Sequence, residues 1–551
     1  MDIELGEGNN EVKAGDIRMQ EIAMGDQTKQ STEYLAGVVE GFYGAPWTEG
    51  QRKHLIKNMT EYHLNTYVYA PKDDRKHRAD WRALYDPVEC ETLKSLIDCC
   101  KESGVIFIYT LSPGIDIVYS SKTERQLLVE KFQQMQNMGA TGFGLLFDDI
   151  EAVMDTDDSL TYDHVASAQS EITNYVYGIL GRPKYFLFCP TEYSTSRADP
   201  NLFDSKYLNI LGQTLESDIM ILWTGPRVIS KMIPIDHIRN VTRIFNRPPV
   251  IWDNLHANDY DRRNVFMGPY KNRHLELCHL TKGIFLNPNC QYDLNYVPIR
   301  SFGMFVDAAF KCCPPKDSSK SLNSSSLSLD HGDYDPNRVF KDCCRLWAED
   351  IKKSTSTLLP SDSNCESCLE GSNEHIHLGV ALDESSKCTF KDKDKYPKQI
   401  DLYRVASFFY LPGEFGPLVN DIYRAFDILA RNSINKWQKK VNDRFNAHTA
   451  LENYKVSFKS LCDKVVSSTK TILRSHSLYI RPEILPFVME IRESIHLMRS
   501  YVKYLETNNV NDDSVSDPDT IVNRTRFYTE IQVIRVVTEN YSIIRFQRYC
   551  P

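Results

Sequence analysis

Gly142-Phe143-Gly144-Leu145-Leu146-Phe147 runs without a break into Asp148-Asp149-Ile150-Glu151. A short apolar run of this kind has the length of a buried strand, and charge arrives the moment it ends. Working outward, seven similar runs rich in β-branched or aromatic residues are found: Ala36–Glu40, Thr66–Ala70 and Ile106–Thr110 before it, and Tyr185–Phe188, Ile219–Trp223, Pro249–Trp252 and Gly283–Leu286 after it. Each is followed by polar, Gly or Pro residues, and longer segments, several with helical periodicity, separate them. Eight βα units in succession predict an α/β fold, a closed (β/α)₈ barrel of the TIM type, over residues 35–310.

The intervening helices carry their own signals. Thr48-x-x-Gln51 has the form of a capping box, followed by Leu55, Ile56, Met59 and Tyr62 on one face, and Thr123-x-x-Gln126 reads as a second box. Leu93, Leu96, Ile97 and Cys100 form another face stopped by Gly104, and Val165, Ala168, Ile172, Val176 and Ile179 run to Gly181. These stripes are read as core.

Outside the barrel the order changes. Residues 1–34 are polar and read as a disordered N-terminal segment, and 311–398, rich in Ser, Asp and Lys, as a low-complexity, mostly disordered insert with one periodic stretch at Val339–Ile351. Apolar stripes in Tyr403–Tyr410, Ile422–Leu429, Ser457–Leu473 and Ile484–Tyr504 predict a helical bundle over 399–507. A short C-terminal tail, 508–551, holds a candidate strand or helix at Ile531–Val537. Cys365-x-x-Cys368 with His375 and His377 has a superficial likeness to a zinc site, but the spacing fits no common finger and the surroundings are low in complexity, so no metal and no cofactor are expected.

Composition excludes several functions. A net charge of −9 without a Lys/Arg block argues against nucleic acid and against an anionic membrane surface as partners. No apolar run is long enough to span a bilayer, and Met1–Thr32 lacks an apolar leader. Fifteen cysteines, an odd number, suit reduced thiols, so a cytoplasmic and nuclear location is expected.

In a barrel of this kind the working residues stand in the loops after the strands. Those loops hold Glu40-Gly41-Phe42-Tyr43-Gly44, Pro71-Lys72-Asp73-Asp74, Asp148-Asp149, Pro190-Thr191-Glu192-Tyr193, Trp252-Asp253-Asn254, His256 to Asp261, and Asn287-Pro288-Asn289. Amides and carboxylates suit sugar hydroxyls and aromatic rings suit the flat face of a pyranose, whereas a phosphate-cradling glycine loop is missing from this ring. Asp148 and Asp149 are the candidate acid/base pair, because ionisation of one carboxyl opposes ionisation of its neighbour. Asp73, Asp74, Glu192 and Asp253 are read mainly as loop-fixing groups, with Asp253 also able to meet a ligand through its backbone.

Gly37–Gly44, Tyr69–Asp74, Leu146–Ile150, Phe188–Tyr193, Leu222–Pro226, Val250–Asn254, His256–Asp261 and Asn287–Cys290, in this order, resemble the motifs of glycoside hydrolase family 84, the O-GlcNAcases. The likeness spans about 35–300 and returns at Phe408–Pro412 and Gly416-Pro417, which resembles the start of that family's helical stalk. It implies a retaining β-N-acetylglucosaminidase that removes O-linked GlcNAc from Ser and Thr of intracellular proteins. The 2-acetamido oxygen of the substrate attacks the anomeric carbon to form an oxazoline. By the same resemblance Asp148 accepts the acetamido N–H, and Asp149 protonates the departing oxygen and later deprotonates water. Gly41, Lys72, Asn254, Asp259 and Asn287 match sugar-binding positions, and Tyr193 and Trp252 match the acetamido pocket. Longer members carry an acetyltransferase-like domain after the stalk, which is not expected here, and a homodimer through the stalk is implied. Two rival readings keep the same barrel: a hexosaminidase acting on free glycans, and a catalytically silent O-GlcNAc-binding protein.

Overall fold

Eight parallel strands pair in chain order and close on themselves: β1 (Leu35–Glu40), β2 (Thr66–Tyr69), β3 (Ile106–Leu111), β4 (Gly142–Leu146), β5 (Tyr185–Cys189), β6 (Met220–Trp223), β7 (Val250–Asp253) and β8 (Gly283–Leu286). Closure is made by β8 against β1, with Ala36 opposite Ile284 and Val38 opposite Leu286. This computed structural model describes residues 33–151, 153–261, 263–312, 334–356, 396–434, 444–475 and 480–507. Strand bounds depart from the sequence expectation by at most one residue at either end. All eight are buried along nearly their whole length, which is why they read as apolar runs rather than alternating ones. Val39, Val68, Ile108, Leu146, Leu187, Leu222 and Phe285 fill the barrel, with Tyr193 and Trp252 packed on the same cluster.

The outer ring includes α1 (Glu49–Met59), α2 (Pro87–Glu102), α3 (Lys122–Asn137), α4 (Thr156–Thr161), α5 (Val165–Ile179), α6 (Lys206–Thr214), α7 (Ile235–Phe245), α8 (Leu277–Leu280) and α9 (Tyr296–Cys312). Thr48 and Gln51 form the expected capping box of α1. The second expected box does not form: α3 starts one residue before Thr123, and Ser121 caps it by accepting from the Glu124 N–H. Serine and threonine two positions apart compete for the same role, and the one with extended backbone wins. On α5 the apolar face is buried through Val176, but Ile179 at the end of the stripe is exposed.

Within the 311–398 stretch the described residues include helices. α9 runs across its start, and α10 (Pro336–Ser356) is a helix of 21 residues within it. Val339, Phe340, Cys343, Trp347 and Ile351 are buried, so the periodic stretch outweighs the polar average around it. Segments 1–32, 313–333, 357–395 and 508–551 lie outside the described residues, and with them the Cys365/His375 cluster and Ile531–Val537.

Helices α11 (Gln399–Ala406), α12 (Pro417–Ile434), α13 (Arg444–Arg474) and α14 (Ile480–Thr507) make the bundle that the apolar stripes predict. It is bound to the barrel by backbone as well as side chains. Met267 and Gly268 N–H donate to the Phe409 and Tyr410 carbonyls at 2.6 Å each. A Cβ on Gly268 would lie 2.3 Å from the Tyr410 oxygen, so only glycine permits this approach. The Asp293 N–H donates to Glu483 at 2.7 Å.

Candidate active site

β4 effectively continues one residue beyond Leu146, since the Phe147 N–H donates to the Cys189 carbonyl at 2.9 Å. Asp149 then adopts φ +52°, a left-handed conformation that Asp tolerates better than most side chains. The two neighbouring carboxylates come to lie in unlike surroundings. Asp148 is buried, and Lys72 Nζ, on the loop after β2, donates to its Oδ2 at 2.7 Å. The Lys72 side chain is 1% exposed, which removes the reading of a solvated surface lysine. Burial pushes the Asp148 carboxyl up, but the Lys72 ammonium outweighs it and holds the group below the usual carboxylate range. The charge that governs Asp148 is therefore Lys72, where the sequence suggested its like-charged neighbour. Oδ1 of Asp148 is buried and accepts no hydrogen bond among the described residues.

Asp149 stands at the rim, its side chain 31% exposed. Tyr43 donates to Oδ2 at 3.1 Å, and Tyr193 and Arg197 donate to Oδ1 at 2.7 and 3.2 Å. Arg78 donates to the Asp149 carbonyl at 3.2 Å. Burial, then the Asp149 charge, pushes both tyrosine hydroxyls far up, so they remain neutral donors at any working pH.

Trp252 forms the wall, 6% exposed, with Nε1 donating to Asn254 Oδ1 at 2.9 Å. Asn287 Nδ2 donates to the same oxygen at 2.9 Å, while Asn254 Nδ2 donates to the Val228 carbonyl at 2.8 Å. A Cβ on Gly41 would lie 2.2 Å from Trp252 Cζ2, so glycine there lets the indole lie against the β1 loop. Asn287 Oδ1 is a second buried acceptor without a partner among the described residues. Asp259 accepts the Tyr43 and Tyr260 N–H groups at 2.8 and 3.0 Å, and burial raises its carboxyl. The β7 loop thus holds the backbone of Tyr43, whose hydroxyl holds Asp149.

Gly41, Lys72, Asp148, Asp149, Tyr193, Trp252, Asn254, Asp259 and Asn287 are accordingly joined by contacts at one end of the barrel. Asp253 differs. Its carboxylate accepts from Arg273 at 2.6 and 2.8 Å, from Tyr270 at 2.7 Å and from the Leu255 N–H at 3.1 Å, and its carbonyl accepts the Asn287 N–H at 2.9 Å. Its side chain thus fixes the loop. Asp74, accepting from Tyr69 and Tyr85, and Glu192, accepting from Ser205, do likewise. The hydroxyl of Tyr193, which the resemblance matches to the acetamido pocket, donates to Asp149. Three residues of the site were not singled out in the sequence: Tyr43, which stands in a quoted motif, and Arg78 and Arg197, which carry no local signal. Among the described residues no cluster of His, Cys, Asp and Glu could hold a metal ion.

A buried carboxylate held ionised, with one oxygen unpartnered, can accept a substrate N–H. An exposed carboxyl beside it, oriented by neutral hydroxyls, can move a proton to and from solvent or leaving group. The chain is similar to known proteins. The β-N-acetylglucosaminidase family model matches residues 36–334, more than half of the chain. The proteins named "Protein O-GlcNAcase" in mouse and in rat are each 48% identical over 268 residues, 49% of this chain. That match spans only 29% of either relative's length. A Thermobaculum terrenum O-GlcNAc hydrolase mutant superposes with a TM-score of 0.66 over 93% of both chains at 21% identity, a likeness of fold. With its family match laid over the whole barrel, the chain belongs to the β-N-acetylglucosaminidase family.

Proposed function

We propose that this protein is a retaining β-N-acetylglucosaminidase that removes O-linked GlcNAc from Ser and Thr of proteins through an oxazoline formed by the substrate's own acetamido group. The observation that carries this reading is the split between the two aspartates. Asp148, desolvated and paired with Lys72, offers one unpartnered oxygen suited to the acetamido N–H. Binding that N–H orients the acetamido oxygen toward the anomeric carbon, a gain from positioning rather than from an enzyme nucleophile. Asp149, at the rim, would protonate the leaving oxygen and then take a proton from water; positioned proton transfer is worth about 10²–10⁴ in rate. Asn254, Asn287 and Asp259 supply polar groups for ring hydroxyls, and Trp252 an apolar face.

Aryl N-acetylglucosaminides with good and poor leaving groups test the roles. Asp149→Asn is expected to slow poor leaving groups by about 10²–10⁴ and good ones much less, whereas Asp148→Asn slows both alike. Equal leaving-group sensitivity in the two variants defeats the assignment. Modified intracellular proteins as substrates, a cytoplasmic and nuclear location and a homodimer through the helical bundle belong to the same reading and rest on the sequence resemblance. Cys99, Cys100, Cys189, Cys343, Cys344 and Cys462 are buried as free thiols, which suits a reducing compartment.

A further inference from the structure

Arg197 ends the short turn Thr195–Arg197 after β5, and its guanidinium reaches Asp149 Oδ1 while lying 4.8 Å from the centre of the Tyr193 ring. Across Asp149, Arg78 donates to the Asp149 carbonyl and lies 5.7 Å from the centre of the Tyr43 ring. Two guanidiniums therefore flank one rim carboxylate, each over a tyrosine that bonds that carboxylate. The Arg197 side chain is 29% exposed, whereas Lys72, the cation of the floor, is committed to Asp148. Asp148 acts on Tyr43 and Asp149 on Asp259 through their charges. A neutral N-acetyl sugar presents no anion to a guanidinium, whereas the peptide that carries it can. Planar guanidinium donors match carboxylate and phosphate oxygens.

We propose that Arg197 is a specificity-determining residue that takes up a carboxylate or phosphate of the peptide beside the glycosylated Ser or Thr, so that acidic glycopeptides are preferred substrates; this rests on the function proposed above. As the aglycone enters, Arg197 exchanges Asp149 for the peptide's anion.

Three synthetic glycopeptides that differ only in the residue next to the GlcNAc-bearing serine, namely Ala, Asp or phosphoserine, test this on the parent, Arg197→Gln and Arg197→Lys, with an aryl N-acetylglucosaminide alongside. The parent should favour the acidic peptides by roughly 3- to 10-fold in kcat/KM, as for a partly exposed charge-assisted pair. The Asp and phosphoserine arms report which anion is matched better. Arg197→Gln should abolish the preference and Arg197→Lys restore part of it. Partial rescue by lysine is a readout that a merely structural role would not give. A parent without acidic preference, or a preference that survives in Arg197→Gln, overturns the proposal while aryl hydrolysis upholds the enzyme reading. No hydrolysis of any substrate defeats both.

Discussion

The ends of β4 and β7 each hold a buried aspartate paired with a buried cation, and they differ in one respect. At β7, Arg273 and its neighbours occupy both oxygens of Asp253. At β4, Lys72 reaches only Oδ2 of Asp148 and Oδ1 is left without a partner. In both, burial pushes the carboxyl up and the cation brings it below the usual range. Ionisation alone therefore does not separate the two; the unfilled acceptor of Asp148 is what supports the role proposed for it. Arginine fills a carboxylate with its fork of donors, and lysine, a point charge, leaves one oxygen available.

Removing each cation is the strongest way to break this contrast. Lys72→Met and Arg273→Met should each destabilise by about 3–5 kcal/mol, because a buried charge loses its partner. Only Lys72→Met should also depress kcat/KM of the folded fraction strongly, on the order of 10²-fold, since Asp148 then takes a proton at neutral pH and no longer accepts the substrate N–H. Denaturant melts and kinetics corrected for folded fraction read both effects, and equal activity losses would erase the contrast. The sign with pH follows: Asp148's depressed affinity for protons contributes stability above the unfolded value near 4, and this is lost as pH falls through the lower folded value.

A smaller effect sharpens the picture of the wall. Gly41→Ala forces the Trp252 ring to shift, which should cost about 1–3 kcal/mol of stability and raise KM more than it lowers kcat. An unchanged KM with a normal melting temperature would show that the indole is not held by the β1 loop. The smallest effect lies where barrel meets bundle. Burial, helped by Glu483, pushes Asp293 up to about 7. The ionised form is disfavoured in the fold, so the destabilisation is absent below about pH 4 and complete above pH 7. Asp293→Asn should thus be more stable than the parent at pH 8, by on the order of 1 kcal/mol, and equal to it at pH 4. Melting curves at the two pH values check it.

Strand positions were legible because a barrel strand is buried on both faces and ends where the polar loop begins; Gly142–Phe147 and Asp148 show this boundary in one stretch. The bundle was legible from its stripes. The helix Pro336–Ser356 was legible in its central part, where the face Val339 to Ile351 carries the period amid polar surroundings. Thr123 misled because Ser121, two residues earlier, has the same capping chemistry. Within the site, residues at strand ends were found by position, whereas Arg78 and Arg197 lie further along their loops, where exposed arginines are ordinary.

The sequence by itself determined the barrel, its order of strands and which loops carry the carboxylates, amides and aromatic rings, since burial periodicity and strand-end polarity are local properties. Tertiary structure alone decided that Lys72 meets Asp148 across 76 positions, that Tyr43, Tyr193 and Arg197 converge on Asp149, and that Asp253 is consumed by Arg273. Charge pairing and hydrogen bonding depend on distance and desolvation, and in a closed barrel those are set only when strands far apart in the chain are brought to one rim.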